Sequence, residues 1–346
     1  MIGARPAPED RMADSAPAIP RSTAGGPRGV LEASAAAQRD GDAATLAVVL
    51  ETEGSTYVRP GAMALFGARQ GQVGWLSGGC IEPDIERLAQ RAAQAGRIEW
   101  MDIDTRHDED LLSGSALGCR GRLRLALLPL AGLDGWPALV RAWLQGESAL
   151  QLRLQATGTL AVAAGAQQCA WSLPATPVAW TEVAPAWQFE IARAPSILVF
   201  GAGPETPALL PMLRMLGCVT TLVEQRPRWS PLARLADHAL ELPPSRALDT
   251  PVREWDAALV MHHNFELDRE ALHALADSAI GFIGLLGPVR RREDLFRVLP
   301  VATRDALVPR LHSPIGLPLG GEGPEAIALS IAAQLQRHLH DGQQPA

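Results

Sequence analysis

The chain has no lysine, so all 31 of its basic residues are arginine, and it has a single tyrosine, Tyr57. The missing lysine removes the P-loop cation, any Schiff-base amine and the pyridoxal-phosphate anchor. With one tyrosine and no lysine, the Tyr and Lys pair of a short-chain dehydrogenase is excluded as well. Cysteine is sparse: Cys80, Cys119, Cys169 and Cys218 show no C-x-x-C spacing. That excludes a paired-cysteine zinc site and argues against a disulfide framework in a chain this long, so free thiols are expected. No apolar run reaches the roughly 20 residues needed to cross a bilayer. Residues 1–27 lack the apolar core of a secretory signal, so no membrane span and a cytoplasmic location are expected. There is no basic run or aromatic-basic alternation that could track a phosphate backbone either, and 38 acidic residues outweigh the 31 basic ones, giving a net charge of −7. Nucleic acid is therefore not an expected partner.

What is present is enough for two domains and a substantial core: 346 residues, 47% hydrophobic and 20% charged. Residues 1–27, rich in Ala, Pro, Gly and Arg without an apolar period, are expected to be a disordered tail. An N-terminal mixed α/β domain is expected over 28–130, with a helix over 29–40 and strands over 44–50, 62–66, 72–76, 98–102 and 123–128. Residues 131–194 read as extra sheet and linker. The fold class is α/β, and a Rossmann-like doubly wound domain follows over 195–342.

Two glycine-cysteine turns stand out in the first half, Ser77-Gly78-Gly79-Cys80 and Leu117-Gly118-Cys119-Arg120-Gly121. Glycine lets the backbone bend where a side chain would block a ligand's approach. After the first turn, Glu82-Pro83-Asp84 carries the proline and acids of a helix start, which points an amide-rich end towards Cys80. Helix N-termini favour the thiolate form that binds metals and attacks sulfur. Two such turns suggest a protein that holds a sulfur- or metal-bearing small molecule. A cysteine beside glycines is also a common small buried hydrophobe in a tight bend, and both readings stand at this point.

In the second half, Ser196-Ile197-Leu198-Val199-Phe200 runs into Gly201-Ala202-Gly203-Pro204-Glu205-Thr206, and a second strand ends at Glu224. Strand, glycine turn, helix and an acid about 20 residues on form the order of a Rossmann first unit, in which the turn seats a phosphate and Glu224 would accept from a ribose hydroxyl. Thr206 replaces the third glycine. His262 and His263 follow a later strand; on an extended segment they face opposite ways and would not chelate one metal unless the chain turns there. The run Arg290-Arg291-Arg292 reads as a solvated helix face beside the crevice, a position that would suit phosphate.

The order of these motifs resembles the xanthine dehydrogenase accessory protein family, the XdhC/CoxI group. The residues that carry the resemblance are Glu53-Gly54-Ser55-Thr56 with Arg59-Pro60-Gly61, the two glycine-cysteine turns, Gly201-Ala202-Gly203, Phe282-Ile283-Gly284-Leu285-Leu286-Gly287, Ile315-Gly316-Leu317 and Pro324-Glu325-Ala326-Ile327-Ala328-Leu329-Ser330. The resemblance implies a chaperone, not an enzyme, that binds molybdenum cofactor, guards its sulfurated form and helps insert it into a xanthine dehydrogenase-type molybdenum hydroxylase. It also implies a homodimer, with a cysteine desulfurase as a further partner. By resemblance Cys80 and Cys119 would contact the metal or shield its terminal sulfur, with Gly78, Gly79, Gly118, Arg59 and Ser55 shaping the pocket. Gly201, Gly203 and Glu224 would serve NAD(P) or another nucleotide. The chain departs from the family pattern at Pro204, at His262-His263-Asn264 and at Arg120. The alternative function is an NAD(P)-dependent oxidoreductase using the Rossmann domain.

Overall fold

The computed structural model describes residues 26–67, 69, 71–106, 121–146, 148–181, 183–249 and 254–341. The turn containing Gly118 and Cys119, and the tail up to residue 25, lie outside the described residues. The first described element is helix α1 (Gly26–Arg39), so Gly26 and Pro27 belong to a helix and not to the expected tail.

Strands β1 (Ala44–Gly54), β2 (Met63–Gly67), β3 (Gly71–Val73), β4 (Glu99–Asp104) and β5 (Gly121–Pro129) form one sheet in the order β3-β2-β1-β5-β4. All of its pairings are antiparallel. Side chains on a strand alternate between faces, and β1 uses both. Leu46, Val48 and Leu50 point into one core while Ala47 and Val49 point into another. Helix α2 (Glu82–Ala95) covers the second face with Ile85, Leu88, Ala89 and Ala92.

Helix α1 and helix α3 (Trp136–Leu144) lie against the first face. Four more strands, β6 (Leu150–Gln155), β7 (Thr159–Ala164), β8 (Gln167–Ser172) and β9 (Ala186–Ile191), make an antiparallel sheet in the order β8-β7-β6-β9. The alternating buried positions Leu150, Leu152 and Leu154 join the core that already holds Leu46, Trp136 and Trp143. The two antiparallel sheets thus share one hydrophobic cluster.

The second half is a six-stranded parallel sheet in the order β12-β11-β10-β13-β14-β15. Its strands are β10 (Ser196–Phe200), β11 (Val219–Val223), β12 (His238–Leu240), β13 (Ala257–Val260), β14 (Ile283–Leu285) and β15 (Leu311–His312). Counted from β10 this is 3-2-1-4-5-6, the doubly wound Rossmann order. The central strands are buried on both faces, as parallel strands between helix layers must be. Helices α4 (Thr206–Met215) and, later in the chain, α8 (Pro324–His340) cover one face. Helices α5 (Phe265–Ala276) and α6 (Val289–Val298) cover the other, and α7 (Val301–Leu307) packs on α5.

The two halves are joined by charge. Arg28 of α1, 2% exposed, donates to both carboxylate oxygens of Asp237, to Glu32 at 3.1 Å and to the Cys218 carbonyl. Arg214 of α4 binds Asp237 as well and reaches Glu32 at 2.7 Å. Asp237 also accepts the Thr220 amide at 2.9 Å, which fixes it to the start of β11. Burial alone would push its carboxyl up; the Arg28 guanidinium outweighs that and holds it below the usual carboxylate range.

Candidate functional site

Cys80 is exposed on the turn that precedes α2. The turn is held by a buried acid, Glu82, which is 4% exposed. Its carboxylate accepts the Ser77 amide at 2.7 Å, the Leu76 amide at 3.2 Å and the Ser77 hydroxyl, while the Gly79 amide donates to the same hydroxyl oxygen at 3.1 Å. Burial alone would raise the Glu82 carboxyl; these hydrogen bonds bring it below the usual range. Gly79 adopts φ +104, which a residue with a side chain rarely does. Nothing stands within 4 Å of the Cβ that Gly78 lacks, so the backbone there is open to approach. The sequence alone places Glu82 at a helix start and assigns it no further role.

The other described residues expected in the first half, Ser55 and Arg59, lie in the loop that leaves the end of β1 at the rim of the first sheet. The Thr45 hydroxyl, at the start of β1, donates to the Ala89 carbonyl in α2. That bond ties the middle of α2 to the start of β1. Val58 and Ala62, which flank Arg59, pack on the same small core as Leu76 and Ile81, which flank the Cys80 turn. Gly121 pairs with Gly54, and a Cβ on it would come 2.4 Å from the Ser55 carbonyl, so only glycine lets that loop close. Ser55 and Arg59 are exposed. Glu53 is not free: Arg106 binds it at 2.5 Å. It sits in an acid-arginine-acid rung, Glu53-Arg122-Asp104, beside a second one, Glu51-Arg124-Asp102.

The other cysteines divide by burial. Burial pushes the Cys218 thiol up to about 12, so it behaves as a small hydrophobe in the Rossmann core. Cys169 is half-buried on β8. Cys80 is the exposed thiol among the described residues.

At the carboxyl ends of β10 and β13 the structure differs from the sequence expectation. Glu224 is 4% exposed. One oxygen accepts the Ala202 amide at 2.8 Å and Arg226 at 2.6 Å; the other accepts the Arg226 amide at 2.8 Å and its Nε at 2.9 Å. Arg226 goes on to the His262 carbonyl at 2.7 Å and the Ala202 carbonyl at 2.9 Å. Burial would raise the Glu224 carboxyl, but the Arg226 hydrogen bonds hold it low. Gly201, at φ +86, has room for no side chain, because a Cβ would meet His262 at 2.5 Å.

The adjacent histidines do separate, and the chain turns between them, with His263 in the left-handed region at φ 54. His262 is buried, its Nδ1 3.1 Å from Asp268. Asp268 in turn takes Arg291 at 2.5 Å. His263 is half-exposed and contacts the buried Glu205 at 2.9 Å. No group of three or more metal-ligating side chains is assembled among the described residues. The arginine run is divided: Arg290 is exposed, Arg291 is tied to Asp268, and Arg292 donates to the Ser313 carbonyl at 3.2 Å. The expected solvated face therefore holds for Arg290 and not for Arg291.

The Glu205 hydrogen bond, opposed by partial burial, raises the His263 imidazole above its ordinary value. Its proton titration, followed by NMR, is expected above the usual midpoint of about 6.5 and to fall back in Glu205→Gln. Because the folded-state value is raised, this contribution to stability is full below the unfolded imidazole value and fades as pH rises through the folded one. A midpoint unchanged by Glu205→Gln would show that the carboxylate does not set it.

The chain is similar to known proteins in both of its halves. The sequence model of the XdhC and CoxI family matches residues 37–104, a span that contains Cys80, Ser55 and Arg59. The model of the XdhC Rossmann domain matches residues 197–335. The chain is 25% identical over 315 residues to a protein of Bacillus subtilis (strain 168) described as a probable xanthine dehydrogenase subunit, covering 86% of this chain and 93% of that one. It is 30% identical over 149 residues to the uncharacterized protein YqeB of Escherichia coli (strain K12), covering 41% and 27%. A crystal structure from Bacillus halodurans, described as a xanthine dehydrogenase, superposes with a TM-score of 0.73 at 28% identity, covering 92% of this chain and 96% of that one. No helix among the described residues is long and apolar enough to cross a membrane. With one family model on each half and this likeness along nearly the whole length, the chain belongs to the XdhC and CoxI family of xanthine dehydrogenase accessory proteins.

Proposed function

We propose that this chain binds molybdenum cofactor at the Cys80 rim, protects its sulfurated form and passes it to a xanthine dehydrogenase-type molybdenum hydroxylase. The observation that carries the reading is an exposed thiol on an open glycine turn, fixed from beneath by a buried carboxylate. When bound, the cofactor supplies a molybdenum centre with a dithiolene, a terminal sulfur and a phosphate. The donor set on the rim suits such a group. Cys80 offers the soft sulfur that molybdenum and its sulfur ligand accept. Arg59 is exposed, its side chain has no hydrogen-bond or ionic partner among the described residues, and a guanidinium takes a phosphate bidentately. Ser55 offers a hydroxyl, and Gly78 leaves main chain accessible. Cys119 is a second thiol in sequence, two residues before the Gly121 that packs on Ser55.

This role asks the rim to hold and shield, without turnover of a substrate. Its partners are a molybdenum hydroxylase and, for the terminal sulfur, a cysteine desulfurase; a homodimer is part of the same reading. The test is anaerobic incubation of the purified chain with molybdenum cofactor, then gel filtration with molybdenum and pterin analysis. Wild type is expected to co-elute with roughly stoichiometric cofactor. Cys80→Ala is expected to weaken retention by about tenfold or more, which is about 1.4 kcal/mol of binding, with the melting temperature unchanged. Equal retention by Cys80→Ala, Cys119→Ala and the double variant would sink the thiol-based mechanism.

A further inference from the structure

The second half of the chain has the Rossmann strand order, which by fold alone implies a nucleotide on the glycine turn. The residues present do not fit one. A dinucleotide's pyrophosphate sits on free amides at a helix N-terminus. Here the Gly201 amide donates to the Val223 carbonyl at 2.9 Å, the Ala202 amide to Glu224 at 2.8 Å, and the Gly203 amide to the Thr206 hydroxyl at 2.9 Å. The space over Gly203 is also filled. A Cβ there would stand 2.8 Å from a Glu205 carboxylate oxygen and 2.8 Å from the His263 ring. Glu205 itself is 2% exposed at the N-terminal end of α4. It puts a carboxylate where the positive end of the helix would otherwise draw a phosphate. Finally, Glu224 has both oxygens engaged by Arg226 and the turn, so neither is presented to a ribose.

We infer that the glycine turn of this Rossmann domain is closed to a dinucleotide by the chain's own carboxylates, with Glu205 and His263 covering the phosphate position and Glu224 bound to the turn. Two features agree: the amides of the turn are occupied, and the Glu205 side chain with His263 both fills the phosphate position and puts negative charge at the helix end. An NAD(P)-dependent oxidoreductase, the alternative left open by the sequence, then has no cofactor seat at Gly201 and Gly203.

Equilibrium dialysis of the full chain against NAD, NADP, ADP and inorganic pyrophosphate tests the inference. Wild type is expected to show no saturable uptake up to about 1 mM ligand, the weak end of specific binding. Saturable binding of any of the nucleotides below that concentration overturns the inference. Glu205→Ala, which vacates the helix end and releases His263, is expected to take pyrophosphate at least about tenfold more tightly than wild type, a change of about 1.4 kcal/mol. Glu205→Gln, which keeps the shape and removes the charge, guards against loss of fold in the alanine variant. If neither variant gains affinity, Glu205 is not the blocking group and the assignment fails. Molybdenum cofactor retention measured on the same preparations keeps the two readings apart. Nucleotide uptake with normal retention refutes only the closed turn, and lost retention without nucleotide uptake refutes only the cofactor role.

Discussion

Replacing Arg28 by alanine is expected to cost about 3 kcal/mol of folding stability, because it leaves a buried carboxylate without its main partner. The guanidinium is almost fully enclosed and holds Asp237, Glu32 and the Cys218 carbonyl together, linking α1 to the strands of the Rossmann sheet. Arg214 remains beside Asp237 in the variant, but its side chain is 40% exposed and more strongly screened. The urea-unfolding midpoint measures the loss. A contrasting control is Arg87→Ala, whose partner Asp84 and own side chain lie in solvent; it is expected to change stability by less than about 0.5 kcal/mol. Acid should imitate the first substitution. Asp237 is held below its ordinary value when folded, so its contribution is present above the unfolded carboxylate value and lost as pH falls through the folded one. An Arg28→Ala protein as stable as wild type would show that apolar packing, not this ion pair, joins the two halves.

The second large effect is expected at Glu82. Glu82→Ala removes the acceptor for two main-chain amides and a hydroxyl, all close to the buried Ser77 and Leu76. Each buried donor left unpaired costs about 1–3 kcal/mol. Since these groups share one pocket and can partly relax together, we expect about 2–4 kcal/mol in all, read by thermal or urea unfolding. Cofactor retention should fall in the same variant, because the glycine turn that presents Cys80 loses its anchor. Glu82→Gln separates charge from shape: its amide oxygen accepts both main-chain N–H groups and its NH₂ donates to the Ser77 oxygen, so a loss below about 1 kcal/mol is expected. The depressed Glu82 carboxyl adds a pH signature, with stability present above the unfolded carboxylate value and declining as pH drops through the folded one. Equal losses in the two variants would place the effect in the charge and not in the hydrogen-bond geometry.

Much of the architecture is legible in the chain because it is local. A short continuous apolar run marks β1, proline and acid mark the start of α2, and the succession of strand, Gly-Ala-Gly, helix and strand marks the Rossmann unit. Parallel strands joined by helices then leave few sheet orders open, and the observed order is the common one. The candidate site is legible only in part. Cys80 and its glycines are written in the sequence, but Glu82 looks there like any first-turn acid until the fold buries it. Glu224 stands in the register expected of a ribose ligand, yet Arg226, two residues later, turns it back onto Ala202. The histidine pair likewise finds its carboxylates six and 58 residues away, at Asp268 and Glu205.

The chemical inventory is set by the amino-acid string alone: no lysine, so each basic side chain is a planar guanidinium with five donors, and four unpaired-looking thiols. The succession of strands and helices is set there too, since periodicity and turn residues act over a few positions. Which groups lose water is settled later, when the chain packs. Arg28 and Asp237 are 209 residues apart, and Glu51 and Arg124 are 73 apart. Whether a carboxylate becomes an anchor, as Glu82 and Glu224 do, or a blocking group, as Glu205 does, depends on burial among partners remote in sequence. Desolvation makes each of those charges costly unless it is hydrogen-bonded, and that constraint has no local signature in the chain.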